Sequence, residues 1–296
     1  MSAPGCLLCF GFGYTAETLA RRLAPQGWRI VGTSRSTEKV GAMKALGVTP
    51  LLFDAGGARQ GVRAALDDAT HILSSVPPDE DGNDPVLAAF GQDMARLGER
   101  RPIWLGYLST TGVYGDRGGG WVTERSPLLP TTERGRRRAR AERAWRHLAA
   151  AAHHPVHLFR LAGIYGPGRN VLAQLKAGRA RRIDKPGQIF SRIHVEDAAA
   201  MIEAAMMQDA LAGIYNLCDD EPTAPEVPVC FGAALLGIEP PPLVAFADAQ
   251  LSPMGRSFYE DSKKVSNART KQILGITLRY PSYREGLQAL RQAVEA

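Results

Sequence analysis

Cys6-Leu7-Leu8-Cys9-Phe10-Gly11-Phe12-Gly13-Tyr14-Thr15-Ala16 decides how the rest of the chain is read. Five apolar residues run into a pair of glycines. Ala16, Leu19, Ala20 and Leu23 then recur at i, i+3, i+4 and i+7, one face of a helix. Strand, tight turn and helix in direct succession make the G-x-G-x-x-A spacing of Gly11 to Ala16 informative. The first glycine permits the turn, the second lets backbone approach a pyrophosphate, and a small third residue lets the helix pack on the strand. The helix start offers free N–H groups and the positive end of its dipole to phosphates. The turn therefore predicts a dinucleotide site built from Gly11, Phe12, Gly13, Tyr14 and Thr15.

Outward from this turn, apolar runs at 28–33, 51–54, 71–76 and 103–110 read as further strands. Helical stretches fall between them: one starting at Ser36 or Thr37 and closed by Gly47, and another over 85–96. A basic helix over 133–151, strands at 156–161 and 213–218, and a helix of small and apolar residues over 195–207 complete the series. This alternation predicts an α/β fold, a doubly wound parallel sheet of the Rossmann type. The predicted dinucleotide-binding domain comprises 1–166 and 193–220. A smaller substrate-side region, expected to be irregular, is assembled from 167–192 and 221–296.

The end of the second strand selects the nucleotide. An Asp or Glu there binds the ribose 2′-hydroxyl of NAD, whereas a 2′-phosphate needs donors. Gly32-Thr33-Ser34-Arg35-Ser36 carries no carboxylate before Glu38. Ser34, Arg35 and Ser36 supply donors, so NADP is expected, with NAD as the alternative. Asp54 is placed to meet the adenine edge, and Ser74, Ser75 and Val76 to line the path toward the ribose.

Composition narrows the class. The 296 residues are 45% hydrophobic and 22% charged, with 36 Lys and Arg against 30 Asp and Glu. Such a chain is an ordinary globular protein, neither disordered nor a disulfide-stapled miniature. No apolar run is long enough for a membrane span, and no signal sequence is read at the start, so a cytoplasmic protein is expected. Cys6 and Cys9 are C-x-x-C in spacing but sit in an apolar run, and read as core thiols with Cys218 and Cys230. The histidines show no metal-ligand spacing, and no metal is expected. Seven Arg and two Glu in 133–146 supply five of the six net positive charges. Ala141, Trp145 and Leu148 give that helix an apolar face, so its charges read as a solvated or dimer-facing surface, with no nucleic acid and no membrane as partner.

The chain resembles the extended short-chain dehydrogenase/reductase family, in its NAD-dependent epimerase/dehydratase group. The likeness rests on Gly11 to Ala16, on Leu108-Ser109-Thr110-Thr111-Gly112-Val113-Tyr114-Gly115, and on Thr123-Glu124-Arg125-Ser126-Pro127. It continues through Arg160-Leu161-Ala162-Gly163-Ile164-Tyr165-Gly166-Pro167-Gly168, Arg192-Ile193-His194-Val195-Glu196-Asp197-Ala198, and the stretch from Ser262 to Gly275. The resemblance implies the doubly wound sheet, a small substrate region and a homodimer formed through the helices after the fourth and fifth strands. Leu108 and Leu161 join the expected cofactor contacts.

Active members of that family carry a Ser or Thr at the end of the fifth strand and a Tyr-x-x-x-Lys on the next helix. Thr110 matches the first. Arg134 and Arg138 stand where the tyrosine and lysine belong, which places the chain in an atypical subgroup lacking that pair. A guanidinium stays protonated and cannot shuttle a proton. Thr111 and Gly112 likewise replace the acid-base pair of the sugar dehydratases. Thr110, Arg138 and Tyr165 are the expected catalytic residues, with Tyr114, His194 and Glu124 as further proton-transfer candidates. Arg160 and Arg192 either hold an anionic substrate or pair with local carboxylates. Two readings follow: an NADP-dependent oxidoreductase or epimerase-like enzyme on a small molecule, or an NADP-binding redox sensor or partner-binding protein without turnover.

Overall fold

A computed structural model describes residues 4–53, 60–207 and 211–295. In chain order its first half runs β1 (Cys6–Phe10), α1 (Tyr14–Leu23), β2 (Arg29–Ser34), α2 (Glu38–Ala45), β3 (Thr49–Leu52), α3 (Gln60–Asp68), β4 (His71–Ser74), α4 (Pro85–Gly98), β5 (Trp104–Thr110), β6 (Trp121–Val122) and α5 (Glu133–Ala151). The second half follows as β7 (Val156–Leu161), β8 (Gly163–Tyr165), α6 (Val171–Lys176), β9 (Arg182–Asp184), β10 (Arg192–His194), α7 (Val195–Met207), β11 (Gly213–Leu217), α8 (Val227–Leu236), β12 (Leu243–Ala245), α9 (Pro253–Ser257), β13 (Lys264–Val265), α10 (Ala268–Leu274) and α11 (Tyr283–Glu295).

Seven strands form one parallel sheet in the order β3-β2-β1-β4-β5-β7-β11. Order reverses between β1 and β4, so the crevice beyond their carboxyl ends is where an open α/β sheet places its ligand. Both faces are covered. Leu19 and Leu23 of α1, Met201 and Ile202 of α7 and Leu274 of α10 pack on one side. Val62 of α3, Phe90 of α4 and Trp145 of α5 pack on the other. Strands buried on both faces read as continuous apolar runs, which is why they stand out in the sequence. Cys6 and Cys9 belong to opposite cores, and all four cysteines are free.

The expected strands hold to within a few residues. β3 lies two residues earlier than read, and Asp54 lies outside the described residues. β4 ends at Ser74, so Ser75 and Val76 occupy the loop after it. The stretches 167–192 and 221–296 are not irregular. They contain five helices and three short strands, paired with each other or with β6. Most are too short to show a period alone and are held by packing; α11, at thirteen residues, does carry an apolar face, and its Tyr283, Leu287 and Leu290 bury against Tyr165 and Leu172. Among the described residues, no helix is long and apolar enough to cross a membrane.

Candidate active site

The first wall of the crevice is the turn between β1 and α1. Gly11 has φ +79°, and a Cβ there would lie 2.7 Å from Ser75 Oγ. That hydroxyl donates to the Gly11 carbonyl at 2.6 Å, tying the loop after β4 to the turn. The Gly11 N–H donates to Thr33 Oγ1 at 2.9 Å, and the Phe12 N–H to the Thr33 carbonyl at 2.8 Å. The Phe12 ring turns into the core beside Gly32. Gly13 precedes α1, and a Cβ built on it meets nothing within 4 Å. No side chain caps the helix, so its first N–H groups open onto that space. These features fit a pyrophosphate group.

Around this turn the other expected contacts take different parts. Ser34 Oγ donates to the Ser36 carbonyl and accepts the Ser36 N–H, each at 3.1 Å, which shapes the loop after β2. Arg35 is exposed and forms no ion pair with a described residue. Tyr14 donates its hydroxyl to the Pro167 carbonyl at 3.0 Å, and burial pushes its phenol up to about 12. Thr15, Ser74, Leu108 and Leu161 are buried.

The second wall stands where β5 meets α5. Thr110 Oγ1 accepts the Gly112 N–H at 3.1 Å, and Thr132 caps α5 by accepting the Gly135 N–H at 3.0 Å. Arg138 turns back toward the sheet, donating from Nη1 to Tyr107 OH and to the Leu108 carbonyl, both at 3.0 Å. Arg134 lies over the Phe258 ring, 4.3 Å from its centre. Below them α5 is anchored by charge. Glu142 is 2% exposed; it accepts from Ser109 Oγ at 2.5 Å and from Arg160 Nε and Nη2 at 3.0 and 2.7 Å. Arg160 Nη1 donates to Tyr114 OH at 3.0 Å, and that hydroxyl donates to Asn216 Oδ1 at 2.7 Å. Arg160 therefore belongs to the core and holds no substrate. Tyr114 is committed to the same network, and Glu124 accepts from Thr270 Oγ1 at 2.9 Å.

Beyond Thr110 the crevice widens into a cavity of about 500 Å³, ample for a small molecule. Arg134, Arg169, Arg181 and Arg192 line it, none in an ion pair among the described residues. Asp261 and Lys263 also line it, 3.1 Å apart in an ion pair. Arg192 donates to the Phe190 carbonyl at 3.1 Å and to Thr223 Oγ1 at 2.8 Å. Near it Asp219 is fully buried, and its carboxyl is pushed up to about 8 by burial, against the pull of Arg192.

Tyr165 lines the cavity too, but it is buried and donates its hydroxyl to the Ser282 carbonyl at 3.2 Å. Burial first, and then the fields of Asp219 and Asp197, push its phenol well above the ordinary tyrosine range. His194 accepts the Glu196 N–H at Nδ1 and packs edge-on against Tyr165. Burial and Arg279 lower it to about 4, so its imidazole is neutral. Sequence reading missed Arg169, Arg181, Asp261 and Lys263. They come from three separate segments, with Asp261 and Lys263 two residues apart, and share no spacing that would signal a site.

The sheet and its flanking helices define a Rossmann-type fold of the NAD-binding epimerase/dehydratase kind. UDP-glucuronic acid 4-epimerase of Bacillus cereus, solved with UDP-glucuronic acid and NAD, superposes with a TM-score of 0.79 at 15% identity, over 98% of this chain and 99% of that one. A functionally unknown conserved protein from Silicibacter pomeroyi superposes with a TM-score of 0.90 at 51% identity, covering 98% of this chain and 99% of its own. The chain belongs to the same family as that protein. Protein YeeZ of Escherichia coli (strain K12) is 28% identical over 277 residues, 92% of this chain and 94% of YeeZ. No protein-family model matches.

Proposed function

We propose that the chain binds a nicotinamide dinucleotide across the β1–α1 turn and acts as an atypical oxidoreductase or epimerase-like enzyme on an anionic small molecule. The observation that carries this reading is the continuity of two features. An uncapped helix start with open space at Gly13 is joined through Tyr14, which donates to the Pro167 carbonyl and lies beneath the Arg169 guanidinium, to a cavity lined by Thr110 and by four arginines that form no ion pair among the described residues. The backbone from Gly11 to Ala16 would hold the pyrophosphate, and Ser34, Arg35 and Ser36 would hold a 2′-phosphate, which favours NADP over NAD. A bound nicotinamide supplies or accepts a hydride. The chain's own residues orient the substrate: Arg169, Arg181 and Arg192 meet its negative charge, and Thr110 offers a hydroxyl at the β5 end. Guanidinium pairs with carboxylate or phosphate are strong and directional, so these arginines select for charge as well as shape.

Titration with NADPH and NADH, followed by fluorescence, tests the cofactor. NADPH is expected to bind more tightly. Arg35→Ala should weaken NADPH roughly tenfold and leave NADH unchanged, since a charge-assisted hydrogen bond contributes about 1.5–3 kcal/mol. Equal affinities in the unaltered protein would remove the role given to Arg35. The second reading, cofactor binding without turnover, is favoured by Arg134 and Arg138 at the tyrosine and lysine positions. Tight NADPH binding with no oxidation across a panel of anionic carbonyl compounds would select it.

A further inference from the structure

We propose that Lys263, oriented by Asp261, is the proton-exchanging group of the cavity and does the work for which Arg134 is chemically unfit. The inference rests on the enzyme reading above and adds the group that reading lacks.

Elimination and geometry both lead to this lysine. The four cavity arginines hold their protons at any working pH. Tyr165 has its hydroxyl committed to Ser282 and its phenol raised; burial likewise raises Tyr259 and Tyr283. The Asp261 carboxylate already accepts from Thr131 Oγ1 on one oxygen and from Lys263 Nζ on the other. Lys263 remains. It is 7% exposed, lines the same cavity as Thr110 and Arg134, and its ammonium is held 3.1 Å from Asp261 Oδ2.

The pair is fixed from three sides. Thr131, just ahead of α5, binds Asp261 and so brings it to the helix end that carries Arg134. Gln188 Nε2 donates to the Asp261 carbonyl at 2.6 Å. β13 begins at the next residue and pairs with β6, setting the backbone of Lys263 beside the glycine-rich loop. The charges facing the ammonium are Asp261 and Asp116, which favour it, and Arg117, which opposes it. Burial outweighs the carboxylates and lowers Lys263 below the ordinary lysine range, the direction a proton donor near neutral pH needs.

For reduction of a carbonyl the step balances as follows. The carbonyl carbon gains a C–H bond from the hydride of NAD(P)H, which is oxidised to NAD(P)⁺. The C=O π pair moves to oxygen, and that oxygen takes a proton as the Lys263 N–H bond breaks. The neutral amine stays beside Asp261 and recovers a proton from water. Oxidation of the alcohol runs the same bonds in reverse.

Competitive acylation with acetic anhydride across pH, read by mass spectrometry, gives the titration midpoint of Lys263 in the full chain without any substrate. The midpoint read for Lys263 is expected below those read in the same experiment for the exposed Lys39 and Lys44. Asp261→Asn, which removes a favourable charge, should lower it further. A midpoint equal to the surface lysines and unmoved by Asp261→Asn overturns the proposal, whatever the cofactor titrations show. Lys263→Arg keeps the charge and the partner but cannot exchange a proton. It should bind NADPH normally and lose roughly 10²-fold or more of NADPH oxidation with the anionic carbonyl panel, in line with general acid catalysis. Undiminished turnover in Lys263→Arg also overturns the proposal. Failure of the unaltered protein to bind NADPH would instead strike the cofactor reading, leaving the lysine titration to decide this one.

Discussion

The two walls of the crevice are built by opposite means. At the β1–α1 turn the backbone does the work, and the residues beneath it are apolar: Cys9, Phe12, Ala16 and Leu19 fill the core under the glycines. At the β5–α5 junction the side chains do the work, and beneath them lies a buried ionic network of Ser109, Glu142, Arg160, Tyr114 and Asn216. A wall made of backbone constrains few side chains beyond its glycines. A wall made of side chains can be refitted, because α5 is anchored by Glu142, about two turns from Arg134, which faces the cavity. That separation leaves the chemistry at Arg134 free to vary while the helix keeps its place.

The largest effect should come from the anchor. Glu142→Ala strands the Arg160 guanidinium in the core, and removing one partner of a buried pair costs about 3–5 kcal/mol. Urea denaturation would show the lost stability; a cost under about 1 kcal/mol would mean the second wall does not depend on its buried charges. A smaller effect lies at Asp219. Its folded carboxyl titrates near 8 and the ordinary value is 3.8, so the unfolded chain gives up this proton first as pH rises. The folded form is thus penalised progressively between those values, and the penalty is complete above pH 8. Asp219→Asn should stabilise the protein more at pH 8 than at pH 5, by on the order of 3–4 kcal/mol, in paired urea titrations. An equal change at both pH values would show that Asp219 is ionised in the fold. The first wall should respond without loss of fold. Gly13→Asp has room for its Cβ, so the unfolding midpoint should stay near that of the parent. Its carboxylate would face the phosphates and weaken NADPH roughly 10- to 100-fold, about 1.4–2.8 kcal/mol.

The same contrast explains what could be read before the structure. The Gly11–Gly13 turn is local, so its residues stand together in the chain, and the buried parallel strands announce themselves as apolar runs. Helices α5 and α7 match their expected limits because nineteen and thirteen residues are long enough to show a periodic face. α3 was not anticipated, and the small region looked irregular, because its elements take their shape from neighbours rather than from their own sequence. The cavity was the least legible part. Arg134 and Arg192 drew notice through the family resemblance, but Arg169, Arg181 and the Asp261–Lys263 pair converge only after folding. Arg160, whose place in the sequence pattern looked like that of a ligand, turns inward because Glu142 on the neighbouring helix neutralises it.

The two-residue strand β13 pairs in parallel with β6, joining Lys264 to Trp121 and Val265 to Val122. More than a hundred residues separate the partners, so this contact closes one of the longest loops in the chain and carries a corresponding entropic cost. During synthesis the glycine turn, the sheet through β5 and the arginine-bearing start of α5 all emerge well before the segment that completes the cavity. The nucleotide-facing half can therefore organise early, whereas the pocket gains its lysine only when the segment around β13 arrives. Completion of the site is in this sense a report that synthesis has passed β13.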